Sequence, residues 1–183
     1  MSKILVPVAS GFEEIEAVSI IDVCRRAGIE VIVAGVDKQN PKGANGITIE
    51  TDIMLDPLQA MNYDMIVLPG GMGGTTILCE SPKVQALLKE FKASQKFVGA
   101  ICAAPLALHA AGVLSQNYTC YPTIEQNIRL EGHTSEQKVV TDGKVMTSRG
   151  PGTAICFGLE IIKTLEGEET YQSVKEGLLA DFC

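Results

Sequence analysis

Tryptophan is absent, histidine occurs twice, and aromatic residues make up only 5% of the 183 positions, so base stacking on nucleic acid has little to work with. A positive balance is missing too. Fifteen Lys and Arg face 22 Asp and Glu, and the net charge of −7 argues against nucleic acid or an anionic membrane as the main partner. No apolar run approaches the ~18 residues that a membrane span needs. The opening Met1-Ser2-Lys3-Ile4-Leu5-Val6-Pro7-Val8-Ala9 is too short for a secretory apolar region plus cleavage site, and acids follow at once. A cytoplasmic location is therefore expected.

Cofactor and metal signatures are also missing. Cysteines 24, 79, 102, 120, 156 and 183 form no CxxC and no finger-like spacing with His109 or His133, so no metal is expected. In a reducing compartment these thiols stay free, and disulfides are not expected to frame the fold. Neither Gly70-Gly71-Met72-Gly73-Gly74 nor Ser148-Arg149-Gly150-Pro151-Gly152-Thr153 is a phosphate loop. The first lacks the GK[ST] ending, and neither contains GxGxxG. No cofactor is expected.

What is present reads as one domain over residues 1–183, since 46% hydrophobic and 20% charged residues suit a globular core. Strand-like runs fall at Lys3–Ala9, Glu30–Val36, Asp64–Pro69 and Phe97–Cys102, with weaker ones at Ile47–Met54, Asn117–Tyr121, Lys138–Thr141 and Val145–Ser148. Helical patterns occupy Glu13–Ala27, Pro82–Ala93, Ala103–Gly112, Thr153–Gly167 and Glu168–Ala180, and the polar piece Asp37–Gly46 reads as a loop or small hairpin. The four strong strands are continuously apolar, as in strands covered on both faces. Their alternation with helices predicts a three-layer α/β fold around a mostly parallel sheet.

In such sheets ligands gather at the carboxyl ends of the strands, and three of those ends carry unusual chemistry. After the first strand comes Ser10-Gly11-Phe12-Glu13-Glu14-Ile15-Glu16; after the third, Pro69-Gly70-Gly71; after the fourth, Cys102. Cys102 sits between an apolar strand and Pro105, which suits a first helical turn. Free N–H groups and the helix dipole there favour a thiolate. The dipole contributes ~0.3–1 kcal/mol and at most ~2, enough to move a thiol only from ~8.5 to about 7–8.

A further donor is needed, and Glu16 supplies one. Phe12, Glu16, Ile20, Val23 and Ala27 recur at helical spacing, which puts Glu16 on an apolar stripe where a carboxylate is costly unless protonated or paired. Protonated, it would donate to the Cys102 sulfur; ionised, it would raise the thiol pKa, so the two must titrate as a unit. A Cys102 pKa well below that of a free thiol is expected. Glu13 and Glu14 suit the helix dipole.

Gly70 and Gly71 read either as a tight turn or as a close backbone approach, with the N–H groups of Gly71 and Ala103 forming an oxyanion hole. Arg149–Thr153 reads as a rigid turn with Thr153 as N-cap and Arg149 as a carboxylate anchor. His109 lies two turns from Cys102, some ~10 Å away; His133 reads as solvated, and Cys24 and Cys156 as small core residues.

Val67-Leu68-Pro69-Gly70-Gly71, Ala100-Ile101-Cys102-Ala103-Ala104-Pro105, Thr147-Ser148-Arg149-Gly150-Pro151-Gly152-Thr153 and Glu13-Glu14-Ile15-Glu16-Ala17 resemble, in order and spacing, signatures of the ThiJ/PfpI (DJ-one) superfamily. The likeness includes Asp22-Val23-Cys24-Arg25-Arg26-Ala27-Gly28-Ile29 and is strongest to the branch of the parkinsonism-associated protein and its YajL-like relatives. It implies a flavodoxin-like sandwich, usually homodimeric, with Cys102 at a nucleophile elbow, Glu16 as acid partner and Gly71 and Ala103 as oxyanion donors. It also implies cofactor-free glyoxalase or protein-deglycase activity on small dicarbonyls or glycated proteins, with redox sensing and chaperone action as the rival role. A histidine follows the cysteine in the peptidase branch; Ala103 stands here, which disfavours peptidase or amidase activity. Tyr121 replaces a pocket histidine before Pro122 and retains a hydroxyl for a carbonyl. Arg26 resembles a dimer-interface arginine.

Overall fold

The computed structural model describes residues 1–55 and 60–183. Its strands are β1 (Lys3–Val8), β2 (Glu30–Gly35), β3 (Ile53–Met54), β4 (Met65–Leu68), β5 (Phe97–Ile101), β6 (Val139–Asp142) and β7 (Val145–Ser148). They form one seven-stranded sheet in the order β3-β2-β1-β4-β5-β7-β6. Neighbours run parallel, with Val8 opposite Gly35 and Leu68 opposite Ala100, except that β6 returns antiparallel to β7. The helices are α1 (Glu14–Arg26), α2 (Met72–Glu80), α3 (Pro82–Ala93), α4 (Pro105–Ala110), α5 (Ala154–Glu166) and α6 (Glu168–Gly177).

The apolar strands supply two cores. Ile4, Val6 and Val8 of β1 and Met65 and Val67 of β4 enter one cluster with Ile20, Phe157 and Ile161. Their alternates Leu5, Ile66 and Leu68 enter the other, with Leu88, Phe91 and Leu108. Successive strand side chains point to opposite faces, so a run apolar at every position needs cover on both. Helices α1, α5 and α6 pack together on one side and α2, α3 and α4 on the other, giving a flavodoxin-like α/β sandwich.

Local chemistry sets the helix ends. Glu13 caps α1 by accepting from the Glu16 N–H at 2.8 Å, and Ser81 caps α3 by accepting from Val84, with Pro82 in the first turn. Thr153 does not cap α5. Its hydroxyl accepts from the Gly150 N–H at 3.1 Å and meets Ser148 Oγ at 2.7 Å, closing the turn before the helix instead.

Several expectations change. Of 47–54 only Ile53–Met54 is strand; upstream, Lys42 bridges Thr48 and Gly43 donates to Ile47 in the small hairpin. Residues 117–121 form no strand but a single bridge, Tyr118 to His133. Helix α2 is not among the expected helices; Gly73 and Gly74 in its first turn are poor helix formers and give no helical signal. Among the described residues no helix is long and apolar enough to cross a membrane.

Cys156 and Cys183 form a disulfide with their Cα atoms 5.2 Å apart, which corrects the expectation that every cysteine is free. Residues 178–183 fold back onto α5: Leu178, Ala180 and Cys183 join the Phe157 cluster, a meeting that the 27-residue spacing does not announce. Protein denatured without reductant should titrate only the thiols of Cys24, Cys79, Cys102 and Cys120. Cys183→Ser should cost about 2–4 kcal/mol in denaturant unfolding. Six reactive thiols before reduction would refute the bridge.

Candidate active site

Connections leave β1 toward β2 and β4 toward β5, so the sheet's topological switch point lies between β1 and β4. The loops after β1, β4 and β5 meet there. Cys102 follows β5 in a left-handed conformation, φ 64°, unusual for a side chain with a Cβ and costing of order 1–3 kcal/mol. Its N–H donates to Ser148 O at 3.0 Å and its carbonyl accepts from Tyr121 N–H at 2.9 Å, so both flanks of the strained residue are tied down. Helix α4 starts only at Pro105 and is six residues long, shorter than expected. The sulfur is therefore served by individual N–H groups more than by a helix dipole.

Glu16, on the buried stripe of α1, is fully enclosed. Its Oε2 accepts the Gly70 N–H at 2.8 Å, Oε1 is buried without a conventional hydrogen bond, and the carboxyl interacts with the Cys102 thiol. Burial pushes Glu16 up to about 7, against the opposing pull of the thiol and of Gly70. Cys102 is 8% exposed. Burial first, then the charge and hydrogen bonding of Glu16, push its thiol up to about 12, while the N–H groups of Gly71 and Ala103 pull it down.

The low thiol pKa expected from the sequence is thus corrected: burial, invisible in the sequence, opposes it. A proton on Glu16 removes the carboxylate's repulsion and leaves the two N–H groups acting on sulfur, so the pair ionises as one system.

The glycines have steric reasons. A Cβ on Gly70 would lie 2.6 Å from Glu16 Oε2 and 2.7 Å from Cys102 Cβ. Gly71, at φ 89°, would drive one to 2.4 Å from Gly11 O. Larger residues there would separate acid from thiol.

Tyr121 is half exposed and lines a cleft of about 250 Å³ with Pro122 and the 149–153 turn. Arg149, in that cleft wall, has a buried Nε without a hydrogen-bond partner. Arg26 lies elsewhere, at the end of α1, bonded to Asp22 at 2.8 Å in a half-exposed i,i+4 pair. His133, expected to be solvated, has a buried Nε2 instead.

The sequence reading missed Glu14, treated only as a complement to the helix dipole. It is 4% exposed and accepts from the Asn45 N–H at 2.7 Å, the Asn45 amide at 3.0 Å and the Ile47 N–H at 3.3 Å. Burial opposes its charge, but these bonds outweigh it and hold the carboxyl below its ordinary range. It fastens the hairpin to α1. A second acid two residues from Glu16 falls off the apolar stripe and leaves no sequence signal.

Fold and site together define an α/β protein with a cysteine nucleophile elbow beside a buried carboxyl. The chain belongs to the DJ-1/PfpI family, whose model matches residues 2–164. It is 40% identical over 186 residues to Protein dj-1beta of Drosophila melanogaster, covering 100% of both chains. It is 38% identical over 167 residues to the glutathione-independent glyoxalase DJR-1.2 of Caenorhabditis elegans, covering 91% of this chain and 89% of that one. The crystal structure of Drosophila melanogaster DJ-1beta superposes with a TM-score of 0.93 at 40% identity, over 98% of each chain.

The buried acid should be visible in stability. Between the ordinary value of 4.5 and the folded value of about 7, the folded protein holds a proton that the unfolded chain has lost. Glu16 therefore costs nothing below about pH 4.5, and its penalty grows with rising pH until complete above about 7. Relative to Glu16→Gln, the wild type should lose up to about 3 kcal/mol of unfolding free energy across that window. A constant difference from pH 4 to 8 would refute the shift.

Proposed function

We propose that the protein is a cofactor-independent enzyme that converts small reactive dicarbonyls, methylglyoxal above all, to 2-hydroxy acids. The observation that carries this reading is the enclosed Glu16 carboxyl acting on the same sulfur as the N–H groups of Gly71 and Ala103. The name of the nematode relative supports the reactive-carbonyl class.

In this reading the Cys102 sulfur bonds to the aldehyde carbon and the thiol proton passes by way of Glu16 to the new alkoxide, giving a hemithioacetal. Gly71 and Ala103 N–H groups hold the oxygen as charge develops. Glu16 then takes the proton from that carbon and delivers it to the neighbouring carbon, while the hydroxyl proton on the first oxygen passes to the second. The first carbon is oxidised to a thioester as the second is reduced to an alcohol, so no outside oxidant enters. Water cleaves the thioester, releasing lactate and the thiol. The 8% exposure of Cys102 favours a three-carbon aldehyde over a glycated protein, and Arg149 and Tyr121 are the candidate groups for its second carbonyl and product carboxylate.

Metal-free protein should convert methylglyoxal to lactate. Cys102→Ser should abolish turnover, and Glu16→Gln should lower kcat by about 10²–10⁴ while the fold persists. Zero turnover, with peroxide adding two oxygens at Cys102 alone, would replace the enzyme with an oxidisable sensor.

A homodimer is part of the same proposal. Ile15 and Val18 of α1 and Ile47 of the hairpin are 58%, 48% and 57% exposed, and Glu14 fastens the two elements together. A second copy of this face would cover these side chains. Sedimentation should give twice the chain mass, shifting to the monomer in Val18→Glu; a monomeric wild type would refute it.

A further inference from the structure

Cys120, Glu125 and His133 lie in the stretch between α4 and β6, and no step of the proposed reaction uses them. Their Sγ, a carboxylate oxygen and a ring nitrogen all fall within 4.8 Å of one another, with Sγ 3.9 Å from Glu125 Oε2.

The surrounding backbone fixes all three. Tyr118 and His133 form a parallel bridge, with Tyr118 N–H donating to Gly132 O and Thr134 N–H to Tyr118 O, both at 3.0 Å. Their rings meet at 5.4 Å between centroids. Next to Cys120, Thr119 N–H donates to Thr147 Oγ1 at 2.9 Å, and Tyr121 N–H to Cys102 O. Glu125 rides on the single turn 124–127, which follows Thr123 at φ 79°. Independently of this clustering, His133 Nε2 is buried and makes no hydrogen bond to the protein, a state that calls for a partner such as an ion.

We propose that Cys120, Glu125 and His133 bind a thiophilic divalent cation of the Zn²⁺ class. One thiolate and one carboxylate balance the dication, and the neutral imidazole completes a soft-to-borderline set unsuited to Mg²⁺ or Ca²⁺. Ligands held at ~2.0–2.3 Å around a tetrahedral ion stand roughly 3.3–3.8 Å apart. The sulfur and carboxylate are nearly at that spacing already, and rotation of the part-exposed Glu125 brings the set together. Binding replaces the thiol S–H bond with an S–metal bond and releases the proton to solvent; nothing is oxidised. The fourth position stays open to water. Bound there, the ion would pin the backbone next to Tyr121, and hence the elbow carbonyl that Tyr121 holds.

The proposal is independent of the dicarbonyl reading, and its test is run in Cys102→Ser so that the Glu16 site cannot contribute a thiolate. Protein with the Cys156–Cys183 bridge intact and its other thiols free is titrated with Co²⁺ and followed by its thiolate-to-metal charge-transfer absorption. One equivalent should bind, and Zn²⁺ should displace it. Cys120→Ser should abolish the band. His133→Asn and Glu125→Gln, the latter a part-exposed position that spares the fold, should each weaken Co²⁺ binding at least about tenfold with unchanged far-UV circular dichroism. No band in Cys102→Ser, a band surviving Cys120→Ser, or full affinity in both His133→Asn and Glu125→Gln would overturn the site.

Discussion

The site depends on holding a carboxyl with no access to water against a thiol with almost none. Such burial is unfavourable for either ionised group alone. The fold makes it tolerable by supplying one N–H to the acid, from Gly70, and two to the sulfur, from Gly71 and Ala103. Each depends on backbone that ordinary residues resist: no Cβ at Gly70, a left-handed Gly71 and a left-handed Cys102. The strain at Cys102 persists because its N–H and C=O are both bonded, to Ser148 and Tyr121.

The sheet order makes that meeting possible. Because the connections after β1 and β4 lead to opposite edges of the sheet while the two strands stay parallel, the segments following them splay apart and leave room for the loop after β5. Helix α1 enters this gap with Phe12 and Ile20 anchored in the core, and Glu16 lies one turn from each on the same buried face. The position of the acid is thus set by hydrophobic packing over the whole helix. A local rearrangement at the elbow cannot expose it without pulling α1 off the sheet.

Much of this was legible in the residues. The continuous apolar runs of β1, β2, β4 and β5 identified a sheet covered on both faces, and the stripe through Phe12, Glu16 and Ile20 identified the one acid of three that is completely enclosed. What escaped depends on long-range contact. The glycines of α2 give no helical signal, yet close packing makes them helix: a Cβ on Gly74 would lie 3.0 Å from Phe12 N. Glu14 hides beside Glu16, its partners Asn45 and Ile47 some thirty residues away. Cys156 and Cys183 meet only because residues 178–183 fold back onto α5. The thiol's ionisation was misjudged for the same reason, since helix-end chemistry can be read locally and desolvation cannot.

Coupling between the two groups also bears on which electrophiles suit the site. A thiol that ionises freely is open to any oxidant able to reach it. In the proposed reaction Glu16 holds the proton while sulfur is charged, so the reactive sulfur comes with a protonated acid beside it. Peroxide makes no use of that acid once an oxygen has transferred. A 1,2-dicarbonyl uses it repeatedly: the first carbonyl oxygen needs a proton when sulfur adds, and the resulting C–H, acidified by the second carbonyl, needs a base at the same place a moment later. One carboxyl whose pKa lies near 7 can fill both roles without moving. Its elevated pKa and its enclosure are therefore a single property, and it is on that property that the proposed preference for two adjacent carbonyl carbons over a simple oxidant rests.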